Sequence, residues 1–298
     1  MSKSHPEQWT VRVVSERPEK SLVTALREFA TTQIADCGGP VAVMGPPLRH
    51  LAGGPQLCGP AVTVWTKPGD ILYVLKATDL IADGDVLVVD GGGRLDAAVI
   101  GDIAGQALAD LGCDGLVVDG AVRDLDGLDA TGLATFAAGA HPATGSNQGP
   151  GAINVVVQCG GVTVRPGDVV RGDASGLVVV PKEHLAAVVA MTKTVDDQET
   201  GWRQAIARGA SLPTAAGIDD LISKLAADRG AVLACRVGRL AGELGHDGST
   251  GSVAIGVGYA QRHRAGGRKG AHVPGAWDNR SAMTHRAAGW LPMPKWLA

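Results

Sequence analysis

Between residues 61 and 180 the chain is punctuated by short β-branched runs, at 61–65, 86–90, 116–119, 153–157, 162–164, 169–171 and 177–180, each bordered by glycine, proline or aspartate. Apolar runs of that length with such borders predict strands. Two segments of the same region, 76–82 and 103–112, have helical periodicity instead. Upstream, Leu22, Leu26, Phe29 and Ile34 share one face of an amphipathic helix ending near Cys37-Gly38-Gly39. Downstream, 182–208 predicts a long helix with Leu185, Val188, Val189 and Met191 along it, followed by a shorter one at 218–225. A mostly β core with helices packed on it, an α+β layered domain, accommodates these elements.

The pattern also suggests the domain limits. Residues 1–18 are polar and predict a flexible N-terminus, and 19–227 predict one main domain. From 228 onward the composition turns to Gly, Ala, Arg and His, with Trp277, Trp290 and Trp296 scattered and no sustained period. Ten Lys and Arg against four Asp and Glu make 228–298 basic. The charges are not clustered and the aromatics are not spaced as a base-stacking platform, so a poorly ordered extension is expected rather than a nucleic-acid-binding tail.

Composition adds boundaries rather than a function. With 298 residues and 45% hydrophobic content the chain can bury a real core. It contains no uncharged apolar run of eighteen residues, and Met1 to Glu7 lacks an apolar signal segment, so a cytoplasmic location without membrane insertion is expected. A net charge of -3 gives no general argument for nucleic acid or membrane binding. Five widely separated cysteines, Cys37, Cys58, Cys113, Cys159 and Cys235, form neither a disulfide framework nor a zinc-ligand pattern and are expected as buried thiols.

Candidate chemistry concentrates at Gly101-Asp102-Ile103-Ala104 and, after a helix and a strand, at Arg123-Asp124. The free N–H groups of a helix starting near Asp102 can hold an anion. Arg123 offers a planar cationic fork suited to a carboxylate or an enolate oxygen. Asp124, in a loop after a buried strand, is the candidate direct ligand of a hard cation such as Mg2+ or Mn2+. Each has a plainer alternative: Asp102 as a helix N-cap, and Arg123-Asp124 as a structural ion pair. Gly91-Gly92-Gly93 does not continue into a dinucleotide fingerprint, because Asp96 stands where its third glycine belongs; a turn with positive φ accounts for it better. His141-Pro142 and the loop from Thr144 to Gly149, with Gln148 in it, could cover a substrate or simply connect two elements. Neither a serine-hydrolase elbow nor an HExxH zinc motif occurs.

The D-x20-R-D spacing at Asp102, Arg123 and Asp124 resembles the pattern of RraA-like proteins. The likeness includes the segments 34–36, 59–64, 84–90, 166–170 and 172–181. This family contains the divalent-metal 4-hydroxy-4-methyl-2-oxoglutarate and 4-carboxy-4-hydroxy-2-oxoadipate aldolases and the regulator of ribonuclease activity A. The resemblance implies an α/β/β/α sandwich of the swivelling-domain kind, assembled as a homotrimer or homohexamer with its site at a subunit interface. It further implies that Gly101, Asp102, Ile103, Ala104 and Arg123 bind a 2-oxo acid, with Asp102 and Arg123 catalytic. Asp124 would hold the metal directly, and Asp102 and Glu199 would do so through water, Glu199 from the neighbouring subunit. The implied activity is a carbon–carbon lyase releasing pyruvate, with oxaloacetate decarboxylation as a side reaction. The alternative is a non-catalytic protein-binding regulator of ribonuclease activity.

Overall fold

The computed structural model describes residues 6–13 and 16–228, so the expectations for the extreme N-terminus and for 229–298 lie outside the described residues. The chain divides into two compact units at Ile218, and the first holds all the elements that bear on the candidate site. Its helices are α1 (Lys20–Arg27), α2 (Thr31–Asp36), α3 (Leu72–Ala77), α4 (Asp102–Asp110), α5 (Leu125–Thr131), α6 (Leu185–Ala207) and α7 (Leu212–Ala215). Helix α8 (Ile218–Asp228) leads into the second unit. The strands are β1 (Thr10–Val11), β2 (Ala42–Val43), β3 (Arg49–Ala52), β4 (Leu57–Thr66), β5 (Val86–Ala98), β6 (Gly115–Val122) and β7 (Ala134–Ala140). They continue with β8 (Gly151–Ile153), β9 (Val157–Cys159), β10 (Val162–Val164), β11 (Val169–Asp173) and β12 (Gly176–Val180).

Strand β4 organises the layers by serving two partners in succession. Leu57 to Pro60 pairs antiparallel with β11, and Ala61 to Trp65 pairs parallel with β5. One side continues through the antiparallel strands β11, β12 and β2, the other through parallel β5, β6 and β7 to antiparallel β3. Side-chain alternation then assigns each residue to a layer. Leu87, Val89, Leu116 and Val118 pack in the cluster that includes α3, α4 and α5, whereas Val86, Val88 and Val117 meet Val170, Leu177 and Val179 of the other sheet. Val169, Val178 and Val180 face Leu26, Ile34, Leu185 and Val188 of α1, α2 and α6. This is the α/β/β/α order, and it explains why the strands read as unbroken apolar runs: both faces are buried.

Several sequence expectations shift for identifiable reasons. The single helix at 22–37 is two, because Ala30 is extended and the Asp173 carboxylate accepts both the N–H and the hydroxyl of Thr31, capping α2 from another strand. The helix expected at 76–82 starts at Leu72, whose N–H is capped by Asp70 Oδ1 at 3.0 Å. The run 153–157 is split at Asn154, which has φ 55°. Strand β7 and helix α5 were not expected, since Ala-Thr-Phe-Ala-Ala-Gly-Ala lacks β-branched aliphatics and α5 is only seven residues long. Before Glu19, where no element was expected, Thr10–Val11 pairs parallel with β8, and Arg17 forms two hydrogen bonds with buried Asp85. Gly92 and Gly93 do have positive φ, but inside β5: Asp90 opposes Asp119 and Arg94 opposes Gly120, so three residues bulge from the strand.

Candidate active site

Because β5 and β6 are parallel neighbours, the turns leaving their C-terminal ends toward α4 and α5 lie side by side, where open parallel sheets commonly bind ligands. Two backbone bonds stitch the turns together, Val99 N–H to Ala121 O and Arg123 N–H to Ile100 O, each 3.0 Å. Gly101 is the pivot. A Cβ there would lie 2.5 Å from Asp124 Oδ2 and 3.0 Å from Arg123 Cγ and Nε, so the absence of a side chain lets both residues close over the turn. Arg123 Nε and Asp124 Oδ2 are 3.2 Å apart, with side chains 36% and 42% exposed. A pair that wet contributes about 0–1 kcal/mol to stability.

Asp124 precedes α5 in the left-handed conformation, φ 55° and ψ 50°. A non-glycine residue pays roughly 1 kcal/mol for this backbone, least for Asp and Asn. Asp102 occupies the first helical position of α4; the N-cap is Gly101, which corrects the N-cap alternative. The first intrahelical bond runs from Gly105 N–H to Gly101 O, leaving the N–H groups of Asp102, Ile103 and Ala104 ahead of it. Asp102 Oδ1 accepts the Ile103 N–H at 2.7 Å, so a carboxylate already sits at this helix terminus. Across from it, a Cβ on Gly127 would lie 2.6 Å from Asp102 Cβ, so a second glycine lets α5 support the Asp102 side chain.

These groups border a cavity of about 360 Å³. Gly101 to Ala104 and Arg123 line it, joined by Ile71, Leu75 and Thr78 around α3, Val99, Ile100, Ala107, and Thr144 of the following loop. Asp124 is not part of that lining; it reaches the site through its contact with Gly101 and Arg123. Glu199 lies elsewhere on this chain: on α6, it accepts a hydrogen bond from Gln33 Nε2 and pairs with Arg203 at 2.7 Å. His141 and Gln148 do not line the cavity either. His141 Nδ1 accepts the Ala143 N–H, and the Gln148 N–H is held by Asp70.

The α3 wall and Asp70 are what sequence reasoning missed. Asp70 is fully buried and accepts hydrogen bonds from Ser146 Oγ, the N–H groups of Gln148 and Gly149, and the Leu72 N–H. Burial pushes its pKa up, but these four donors outweigh that effect and hold it below the usual value. Asp70 thereby ties the start of α3 to the loop that carries Thr144.

Among the described residues no three His, Cys, Asp or Glu side chains gather into a chelating cluster. The donors at the turns are the carboxylates of Asp102 and Asp124, and no imidazole or thiolate lines the cavity. A partly exposed carboxylate beside an open cavity fits a hard cation that keeps several waters, as Mg2+ does, and does not fit a closed structural zinc site.

The family profile described as RraA-like, Aldolase/RraA, matches residues 22–179. A protein of Halalkalibacterium halodurans, provisionally named 4-hydroxy-4-methyl-2-oxoglutarate aldolase, is 38% identical over 182 residues, covering 60% of this chain and 87% of that protein. The solved structure of an uncharacterized Pseudomonas syringae pv. tomato protein is 28% identical with a TM-score of 0.60, covering 67% of this chain and 98% of that one. Streptomyces coelicolor RraAS2, described as an unusual member of the RNase ES inhibitor RraA protein family, is 29% identical with a TM-score of 0.56, covering 65% and 99%.

Proposed function

The chain belongs to the RraA-like family, and we propose that it is a divalent-metal-dependent carbon–carbon lyase that releases pyruvate from 4-hydroxy-2-oxo acids. In this reading 4-hydroxy-4-methyl-2-oxoglutarate and 4-carboxy-4-hydroxy-2-oxoadipate are the reference substrates, and oxaloacetate decarboxylation is a side reaction. The supporting observation is the convergence of Asp102, Arg123 and Asp124 on the Gly101 turn at the cavity. A cytoplasmic homotrimer or homohexamer, with Glu199 facing a neighbouring subunit's site, completes the proposal.

The chain's own groups have distinct tasks. The N–H groups at the start of α4 and the Arg123 fork orient the substrate carboxylate and 2-oxo group. Asp124, with Asp102 through water, would hold Mg2+ or Mn2+, which when bound supplies Lewis-acid polarisation of the 2-oxo carbonyl. Cleavage breaks the C3–C4 bond, the C4 hydroxyl loses its proton, and the bonding pair passes to C3 as the pyruvate enolate. Arg123 stabilises the developing oxyanion, a preorganised contribution of about 3 kcal/mol. A water held by the Asp102 carboxylate takes the hydroxyl proton and relays one back to C3.

The test is pyruvate release from oxaloacetate and from 4-hydroxy-4-methyl-2-oxoglutarate with Mg2+, Mn2+ or chelator, comparing the native chain with Asp124→Asn. Metal-dependent release lost in the variant supports the lyase. The likeness to RraAS2, a member of the RNase ES inhibitor family, supports a second reading, a ribonuclease-binding regulator. Metal-independent capture of a ribonuclease by a chain releasing no pyruvate would establish it instead.

A further inference from the structure

We infer that Trp9 is a positioning residue for the candidate site: from the far side of α3 it sets where Ile71 and Leu75 stand along the cavity. The inference rests on the site assigned under the lyase reading. Ile71, the N-cap of α3, and Leu75 are one helical turn apart and line the cavity together. Tyr73, midway between them, projects about 200° around the helix and is not part of that lining. Its ring lies against the first residue of β8, where a Cβ on Gly151 would be 2.4 Å from Tyr73 Cγ. The Trp9 ring meets the Tyr73 ring edge-on, with centroids 6.1 Å apart and planes at 67°. Trp9 also covers Gly149, where a Cβ would lie 3.0 Å from its Cη2 and Cζ3, and its N–H donates to Gly151 O at 2.7 Å. One residue thus touches α3 together with the loop and strand behind it, and the Gly149 beneath its ring is one of the donors to Asp70.

Two features set Trp9 apart from a packing residue. It is 59% exposed and belongs to none of the three apolar clusters. Its φ is 68°, a left-handed backbone that a bulky side chain rarely adopts. Such a conformation persists only where surrounding contacts hold it. Here they are the bond to Gly151 O, the ring contacts, and the pairing of Thr10 and Val11 with Ala152 and Ile153. A disfavoured backbone kept for so little burial serves the placement of the ring, and the ring is placed on the back of the cavity wall. The path from Trp9 through Tyr73 to Leu75 lies within one chain, so it acts on that wall whatever a neighbouring subunit adds to the cavity.

The test uses the full chain with Mn2+, measuring 2-oxoglutarate binding by calorimetry and the kinetics of pyruvate release from 4-hydroxy-4-methyl-2-oxoglutarate. Trp9→Ala should raise Kd and KM by about fivefold or more while changing kcat by less than about twofold, the signature of a displaced binding wall rather than of a lost catalytic group. Trp9→Phe, which keeps an aromatic edge against Tyr73, should recover most of the loss. In a Tyr73→Ala chain, Trp9→Ala should add little, because the two side chains act in series. An unchanged Kd in Trp9→Ala, no recovery with phenylalanine, or an equal effect of Trp9→Ala with and without Tyr73 overturns the inference, as does failure of the native chain to bind 2-oxoglutarate. A Trp9→Ala chain that does not fold also overturns it, by making Trp9 a stability residue. Absence of pyruvate release with the Kd pattern intact overturns the lyase reading alone, because binding still decides the role of Trp9.

Discussion

At position 124 a carboxylate is held on a left-handed backbone, beside a glycine whose missing Cβ makes room for it. The two requirements can be separated by substitution. Gly101 has φ -139°, which alanine adopts freely, so Gly101→Ala should fold with a Tm within a few degrees of the native chain. Its new methyl group would nevertheless displace the Asp124 carboxylate and the Arg123 side chain. Pyruvate release should therefore fall by about 100-fold or more, the scale of losing one preorganised electrostatic partner. Arg123→Lys keeps the charge but loses the fork, and a rise in KM larger than the fall in kcat is expected from steady-state kinetics. The residues 101–104, 123 and 124 were legible because their chemistry is local to two short turns. Asp70 was not, because a lone aspartate after Pro-Gly reads as turn punctuation until its four donors, three of them from residues 146–149, are placed around it.

Those donors make α3 and the 144–149 loop one mechanical element. Asp70→Asn replaces an acceptor oxygen with a donor facing other donors, at a cost of about 2 kcal/mol. Hydrogen exchange at Gln148 and Gly149 should accelerate more than in β6. The pH dependence has a definite sign. The Asp70 carboxyl titrates lower in the folded chain than its ordinary value of 3.8, so its contribution is present above that value and lost as pH falls through the folded pKa. The Tm difference between native and variant chains should be flat from neutral pH to about 5 and shrink below about 4. Element by element, the legible parts were those whose both faces are buried, such as β6 and β12. The start of α3 and the break between α1 and α2 depend on caps supplied across the fold by Asp70 and Asp173, and β7 depends on pairing with β6; one-dimensional periodicity carries none of these.

Across the whole first unit, Asp102, Arg123 and Asp124 of the candidate turns stand outside the three apolar clusters, while Val99, Ile100 and Ala104 of the cavity lining belong to one of them. Stability is carried by the clusters, and the proposed metal touches the exposed turns. Chelator treatment should therefore abolish pyruvate release while moving Tm only slightly, a result thermal denaturation with and without chelator can check. The described cysteines belong to the clusters: burial raises the Cys58 thiol to about 12 and the Cys113 thiol to about 11. Cys58, Cys113 and Cys159 should resist alkylation until the chain is unfolded. Among the described residues no helix is long and apolar enough to cross a membrane. The layer order could be anticipated from the family likeness, because a one-dimensional pattern says that a strand is buried on both faces without saying that β4 passes from one sheet to the other.

The left-handed backbone at Asp124 has a further consequence for how such a molecule can change its trade. Asparagine and glycine suit that conformation as well as aspartate does, and each is one nucleotide away from an aspartate codon. Loss of the carboxylate thus lies along a mutational path that folding does not oppose. A lineage could abandon chemistry at this turn and keep every surface intact for some other use, so shape alone is a poor witness to whether a descendant still turns over substrate.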